Sequence, residues 1–119
     1  MPRFVILSHD WPFSHFDLML ESGDSLRTWR LRELPDRTKS MVLEQLADHR
    51  LDYLDYEGPV SGNRGTVTRW DWGAFKWEND LEREFTIQMT GNKLAGKLWL
   101  YWLKDNWWVG TFWFTSGVC

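Results

Sequence analysis

The 119-residue sequence contains one cysteine, Cys119, and no long hydrophobic run. A single cysteine excludes an intramolecular disulfide, so nothing requires an oxidising compartment and we expect a cytoplasmic protein. A membrane helix needs about 20 consecutive apolar residues. The short apolar run at residues 4–7 is also too short for the core of a secretory signal. The composition therefore predicts no membrane partner.

An excess of basic residues is also missing. The chain has 14 Lys and Arg against 17 Asp and Glu, which gives a formal net charge of -3. No global positive field can therefore attract nucleic acid, and any phosphate binding must be local. The 43% hydrophobic and 26% charged residues exclude a disordered or coiled-coil chain. The length predicts a single domain over residues 1–119 with its own core.

Short alternating segments separated by turn residues predict an all-β protein. Residues 15–21 alternate, and the turn at Gly23 and Asp24 predicts a hairpin with residues 26–31. Residues 34–39 predict a loop, and residues 41–46 fit a short helix or a strand. Other strands are predicted at residues 4–7, 66–70, 74–77, 85–89, 94–103 and 107–114, with a turn at 71–73. About eight strands indicate a closed antiparallel barrel or a sandwich, and we predict a small closed β-barrel with short loops or helical turns.

Tryptophan is abundant, with ten residues in the chain. Most such rings fill the core or rim of a β-protein, and the alternative is a stacking surface for nucleobases. For the rings near the C-terminus we consider, in this order, packing on the barrel, a dimer surface and base stacking. These rings are Trp99, Tyr101, Trp107 and Trp113. The chain is accordingly expected to be a monomer or a weak dimer.

Three polar residues near the N-terminus have the composition of a metal site. His15 and Asp17 are two residues apart, so on a strand their side chains lie on the same face. His9 ends the preceding predicted strand and can approach them from its loop. Two imidazoles and one carboxylate leave open coordination positions and suit a divalent Mn, Zn or Fe ion. The alternative is three unrelated polar residues near a loop, because this spacing alone is a weak motif.

Several short segments, in order and with small gaps, resemble the 3′-phosphoesterase domain of bacterial DNA ligase D. They are residues 3–9, 15–21, 29, 48–53, 56–58, 62–63, 65–67, 70–71 and 93–97. The resemblance implies a small β-barrel that uses a divalent metal, typically Mn²⁺ with Zn²⁺ as an alternative, to trim 3′ ends of DNA or RNA. It would remove a 3′-phosphate or a terminal ribonucleoside during end repair. A separate ligase or polymerase would be a partner.

The same resemblance assigns residues to roles. It implies that His9, His15 and Asp17 are the metal ligands, that His49 is the active-site histidine and that Tyr53 lies nearby. His49 would act as a general acid or stabilise the transition state.

Two positions depart from the family pattern. Met19 and Met41 stand where the family has arginines that bind phosphate. A two-residue turn at Gly23 and Asp24 would pair Asp17 with Arg30 and His15 with Arg32, which predicts both arginines on the ligand face. We therefore expect Arg30 to bind the phosphate in place of an arginine at position 19, with Arg64 as a second candidate. The alternative is that Arg30 forms an ion pair with Asp17 or Glu33.

Three functions remain open from the sequence. The first is a metal-dependent phosphoesterase that acts on nucleic-acid 3′ ends. The second is a non-catalytic module that keeps the metal pocket and binds a nucleic-acid end or a protein; the net charge and the two methionines favour it. The third is an enzyme for a small, soluble phosphate ester.

Overall fold

A computed structural model describes residues 1–35 and 39–116 of the chain. Cys119 and the centre of the predicted loop at residues 34–39 lie outside the described residues. The described residues form nine strands and one 3-10 turn: β1 (Arg3–His9), β2 (His15–Ser22), β3 (Ser25–Leu31), β4 (Lys39–Arg50), the turn at Leu51–Leu54, β5 (Gly58–Pro59), β6 (Thr66–Leu81), β7 (Glu84–Gly91), β8 (Leu94–Lys104) and β9 (Trp107–Ser116). Over this part of the chain, no helix has the length and apolar character to cross a membrane.

The strands form a closed antiparallel barrel, as predicted. Eight strands follow one another in the order β1-β2-β3-β4-β9-β8-β7-β6, and β6 pairs with β1 to close the ring. The two-residue β5 adds to β6 at Gly58 and Pro59. Closure leaves the eight main strands with a hydrogen-bonded neighbour on each side, which removes the exposed edges of an open sheet.

One strand prediction was wrong. The turn predicted at residues 71–73 does not exist, because β6 runs without interruption through this region. Asp71 and Gly73 of β6 pair with Ile6 and Phe4 of β1. A bulge shifts the register after Ile6, because the next residue of β1, Leu7, pairs with Arg69. The ambiguous residues 41–46 belong to β4, because they pair with β9 and β3. Turn-forming residues favour a local bend, but here the long-range pairing decides the structure.

The barrel interior holds the main hydrophobic core. Its side chains come from all eight main strands, and Trp29, Phe75, Phe85 and Phe112 are among the largest fully buried ones. A second cluster lies on the outward face of β1, β2, β3 and β6 and contains Val5, Leu7, Met19, Leu26, Leu54 and Val67. Residues 51–60 cover this outer wall. Side chains on the outward face of these strands, including polar ones, can therefore also be buried, because residues 51–60 cover them.

The rings near the C-terminus do not share one environment. Trp99 and Tyr101 contact each other with centroids 4.8 Å apart on β8. Trp107 and Trp113 of β9 are exposed by 38% and 45%. Packing on the barrel thus accounts for only some of these side chains.

Candidate metal centre and catalytic cavity

The three predicted metal ligands converge on the outer wall of the barrel. The pairing of β1 with β2 aligns His9 with His15, and Asp17 follows on the same face of β2. His9 Nδ1 lies 3.4 Å from Asp17 Oδ2, and His15 Nε2 lies 3.2 Å from Asp17 Oδ1. One ligand atom from each residue can be chosen so that all lie within 4.8 Å of one another. His15 and Asp17 are buried, whereas His9 is partly exposed.

Backbone carbonyls fix the proton on each imidazole. His9 Nε2 donates to the carbonyl of Arg64 at 2.9 Å, and His15 Nδ1 donates to that of Phe13 at 2.8 Å. Because a carbonyl only accepts, the other ring nitrogen of each neutral imidazole carries a lone pair. Those two lone pairs face the carboxylate of Asp17, which is also an acceptor.

This arrangement fits a cation. His15 Nε2 and Asp17 Oδ1 are buried and have no hydrogen-bond partner. Buried polar atoms without partners are costly, and three acceptors that face a common point are satisfied together by a divalent ion. Metal-bound histidines commonly donate their second ring nitrogen to a carbonyl, as both histidines do here. The donor set of two nitrogens and a carboxylate suits several divalent ions and does not select one of them.

A cavity of about 210 Å³ opens beside this cluster. Its lining combines an apolar floor with polar and aromatic groups: Leu7, His9, Trp11, Asp17, Met19, Arg30, Leu46, His49, Tyr53, Val60, Arg64 and Val67. The structure thus brings both residues assigned as catalytic, His49 and Tyr53, next to two of the three metal-ligand candidates. His15 is buried behind them.

His49 and Tyr53 form an ordered pair at the end of β4. His49 Nδ1 donates to the carbonyl of Ala47 at 2.9 Å, so its Nε2 carries the lone pair of the neutral ring. The ring of Tyr53 packs edge-on against that of His49, with centroids 5.6 Å apart. Both the backbone hydrogen bond and the aromatic contact restrict rotation of the imidazole.

Arg30 lies where the hairpin pairing predicted. Asp17 pairs with Arg30, Met19 with Thr28 and Ser22 with Ser25. The guanidinium of Arg30 lines the cavity, where its Nε is buried without a hydrogen-bond partner. Its ion pair is with Glu44 of β4, at 3.8 Å from Nη1. No local pattern in the sequence indicates Glu44, because its position depends on the long-range pairing of β4 with β3.

The other two predicted phosphate ligands differ in position. Arg64 lines the cavity, but its Nε donates to the carbonyl of Ser61 at 2.7 Å. Arg32 lies outside the cavity, with its guanidinium 4.4 Å from the centre of the Phe13 ring. The pairing of β2 with β3 ends at Phe16 and Leu31, so the predicted pair of His15 with Arg32 does not form.

Met19 and Met41, the two methionines that depart from the family pattern, lie in different parts of the structure. Met19 lines the cavity, whereas Met41 is partly buried against the interior core. Met19 therefore places an apolar side chain in the cavity at a position where the resemblance implies an arginine. Met41 lies away from the cavity.

Trp11 lines the cavity but was not among the site residues predicted from the sequence. It follows His9 by two residues and is 44% exposed. Its position between two candidate ligands could have drawn attention to it. The sequence also did not indicate the role of Asp71, which is fully buried. It accepts three backbone hydrogen bonds from the turn between β7 and β8 and a fourth from the amide of Trp72 in β6.

Fold and cavity together define a small β-barrel domain with a candidate metal site beside a pocket on its outer wall. The family model for the DNA ligase D 3′-phosphoesterase domain matches residues 7–102, which include every residue of the pocket. The chain belongs to this family, as its sequence motifs predicted.

Relatives in the family are much longer proteins. The chain is 31% identical over 105 residues to the multifunctional non-homologous end joining protein LigD of Pseudomonas aeruginosa, a match that covers 80% of this chain and 12% of that protein. It is 29% identical over 115 residues to the protein of the same name from Mycobacterium bovis, covering 89% of this chain and 15% of the relative. The chain thus spans only a small part of the length of these relatives.

Proposed function

We propose that the chain is a divalent-metal-dependent phosphoesterase that trims the 3′ ends of DNA or RNA by removing a 3′-phosphate or a terminal ribonucleoside. The observation that carries this proposal is the cluster of acceptors on His9, His15 and Asp17, of which those of His15 and Asp17 are buried without a partner, beside a cavity that also contains His49 and Arg30. Membership of the 3′-phosphoesterase family supports the reaction class. The relatives are called non-homologous end joining proteins, which supports a role in DNA end repair.

His9, His15 and Asp17 would hold the ion. We propose Mn²⁺, with Zn²⁺ as the alternative that the same donor set accepts. Such an ion, when bound, polarises a phosphate oxygen and activates water for attack on phosphorus. The hydrogen bonds from His9 to Arg64 and from His15 to Phe13 keep the two imidazoles oriented for this task.

His49 would transfer or hold the proton at the ester. Because its Nδ1 is engaged by the carbonyl of Ala47, Nε2 is the atom available to the substrate. A protonated Nε2 can donate to the leaving oxygen as a general acid or to a charged phosphate oxygen. Tyr53 would position the imidazole through its edge contact and present its hydroxyl to the same phosphate.

Arg30 would supply the positive charge that Met19 does not. A hydrogen bond to a charged group contributes about 1.5–3 kcal/mol, so its loss without replacement would weaken phosphate binding substantially. The guanidinium of Arg30 has a buried Nε without a hydrogen-bond partner, a contact of 3.8 Å with Glu44, and the ring of Phe13 at 5.3 Å. Arg64, on the opposite loop, would be the second phosphate contact.

The products of the proposed reaction indicate which classes of enzyme would act next on the same end. Removal of a 3′-phosphate or a terminal ribonucleoside leaves a 3′-hydroxyl, which polymerases extend and ligases join. We propose that separate enzymes of these classes act on the trimmed end.

A non-catalytic binding module is the second candidate. Met19 in the cavity and the net charge of -3 favour it, because both weaken attraction for phosphate. In this case, the pocket would recognise a nucleic-acid end or a protein without turnover.

One assay distinguishes the candidates. The chain is incubated with Mn²⁺ and an oligonucleotide that carries a 3′-phosphate or a 3′-terminal ribonucleotide, and the products are resolved by gel electrophoresis. We expect turnover by the unmodified chain, its loss in His49→Ala and its retention in Asp48→Asn, which changes an exposed neighbour outside the cavity. End binding without turnover would support the module. Hydrolysis of a small phosphate ester alone would identify the third possibility.

A further inference from the structure

Trp11 presents a large aromatic surface at the cavity. Its side chain lines the same space as His9 and Asp17, yet it is 44% exposed. Phe13, in the same loop, is also exposed, but the guanidinium groups of Arg30 and Arg32 lie over its ring at 5.3 and 4.4 Å. Among the described residues, no cation or second ring stacks on Trp11 in this way. Its aromatic surface is therefore available to a ligand.

The backbone around Trp11 is held in place. Asp10 Oδ1 accepts a hydrogen bond from the amide of Thr66 at 2.7 Å. Gly65 has a φ of +80°, and a Cβ there would lie 2.6 Å from the Cβ of Trp11. Only glycine fits this close approach, which brings the two loops of the cavity mouth together. The backbone that carries the ring is therefore ordered before a ligand binds, which lowers the entropic cost of stacking on it.

The position of Trp11 relative to the metal-ligand candidates suits one nucleotide. The Cα atoms of His9 and Trp11 lie at most about 7 Å apart, because only one residue separates them, and both side chains line the same cavity of about 210 Å³. One nucleotide, with its phosphate at one end and its base at the other, can contact both side chains across such a cavity. A phosphate at the metal cluster therefore leaves its own base within reach of Trp11.

We propose that Trp11 is the stacking surface for the base of the 3′-terminal nucleotide. The inference rests on the proposed function and makes it more specific: the substrate is an end that carries a nucleobase, and neither a bare sugar phosphate nor a small phosphate ester fills the site. Base stacking on an aromatic ring is tolerant of sequence, so all four bases are accepted.

The test compares two oligonucleotides that are identical except at the last residue. Both carry a 5′-fluorescein and a 3′-phosphate, but one ends in a normal nucleotide and the other in an abasic residue. Binding is measured by fluorescence anisotropy with MnCl₂, on versions of both probes in which a CH₂ group replaces the 3′-oxygen that carries the phosphate. The resulting carbon–phosphorus bond is not hydrolysed. Loss of one base–aromatic stack weakens binding by about 5-fold to 150-fold. We expect the abasic probe to bind the unmodified chain more weakly by a factor in this range.

Variants then assign the effect to the ring. Trp11→Ala is expected to bind both probes equally, whereas Trp11→Phe retains most of the preference. Trp113→Ala is a matched control, since Trp113 is 45% exposed but lies on β9 outside the cavity. Equal affinity of the unmodified chain for the two probes, no binding of either, or full preference in Trp11→Ala would overturn the proposal. The comparison of probes on the unmodified chain needs no variant to fold.

A parallel turnover assay with Mn²⁺ separates this inference from the proposed function. Preference for the base-bearing probe without hydrolysis would retain the stacking role and reject catalysis. Hydrolysis with equal kcat/KM for both ends would retain catalysis and reject the stacking role.

Discussion

Two aspartates are buried to nearly the same degree but have opposite surroundings. Asp17 is 3% exposed and Asp71 is 0% exposed. The oxygens of Asp71 accept four backbone N–H bonds at 2.9 to 3.1 Å, from Trp72, Asn92, Lys93 and Leu94. The carboxylate of Asp17 faces the side-chain nitrogens of His9 and His15, which carry lone pairs when the rings are neutral.

The difference shows that burial alone does not identify a functional carboxylate. Asp71 is saturated by donors of its own chain, so it stabilises the fold. Asp17 meets acceptors, so its environment is completed only by a proton or by a cation from outside. Substitutions at the two positions should therefore have different consequences for stability and for metal affinity.

The largest effect is expected for Asp71→Ala. The change leaves several buried amide donors without an acceptor at the turn between β7 and β8, and we expect a loss of about 3–5 kcal/mol in the free energy of unfolding. Urea denaturation followed by tryptophan fluorescence measures it. Affinity for Mn²⁺ should change little in the fraction that remains folded.

Asp24→Ala provides the control for Asp71→Ala. Asp24 is exposed in the turn between β2 and β3, and we expect a change within about 0.5 kcal/mol. A loss below about 1 kcal/mol for Asp71→Ala would contradict its assigned structural role.

Asp17→Asn should reverse this pattern. The amide can donate to an imidazole lone pair, so the metal-free chain should be as stable as the unmodified one or gain about 1 kcal/mol. Affinity for Mn²⁺ should fall by about 100-fold or more, because loss of even an outer partner of a metal ligand costs about 10- to 100-fold. Calorimetric titration with MnCl₂ and urea denaturation in EDTA measure the two quantities. Unchanged Mn²⁺ affinity, or destabilisation as large as that at Asp71, would refute the contrast.

Arg30→Ala tests whether the cavity side of the barrel binds phosphate. We expect affinity for a 3′-phosphorylated oligonucleotide to fall by about 10- to 150-fold, as for loss of one charge-assisted hydrogen bond. Arg32→Ala is the matched control, because Arg32 lies over the same Phe13 ring but outside the cavity. Anisotropy titrations of both variants measure how far the affinity of each falls below that of the unmodified chain. Equal losses would indicate a general effect of charge and not a contact made by Arg30.

The pairing of Asp17 with Arg30 illustrates what the sequence can predict. A two-residue turn fixes the register of a hairpin, and strand alternation then decides which side chains share a face. Both rules are local, and the structure confirms the pairing of Asp17 with Arg30. The turn predicted at Asp71 failed for the opposite reason: its carboxylate binds amides about twenty residues away, and no local rule contains that information.

The cavity was only partly predictable from the sequence. The spacing of His15 and Asp17 and the family motifs identified residues that the structure brings together. Glu44 and Trp11 were missed because their positions depend on how β4 and the loop at residues 61–65 approach β1, β2 and β3. That approach is set by tertiary contacts such as the close contact at Gly65, which a pattern of residue types does not reveal.

The smallest effect is expected for a third kind of aspartate, which is partnered but exposed. Arg3 contacts Asp55 at 2.6 Å, and the hydrogen bond from this guanidinium lowers the pKa of Asp55 from its usual 3.8. Since the folded pKa is the lower one, the stabilisation is present above pH 3.8 and is lost as the pH falls through the folded value. Arg3→Ala should therefore lower Tm slightly at pH 7, far less than Asp71→Ala does, and the difference should shrink as the pH falls below 3.8. Thermal melts of this variant and of Lys76→Ala, an exposed control on β6, measure it. A difference in Tm that does not depend on pH would show that Arg3 acts through packing and not through the charge of Asp55.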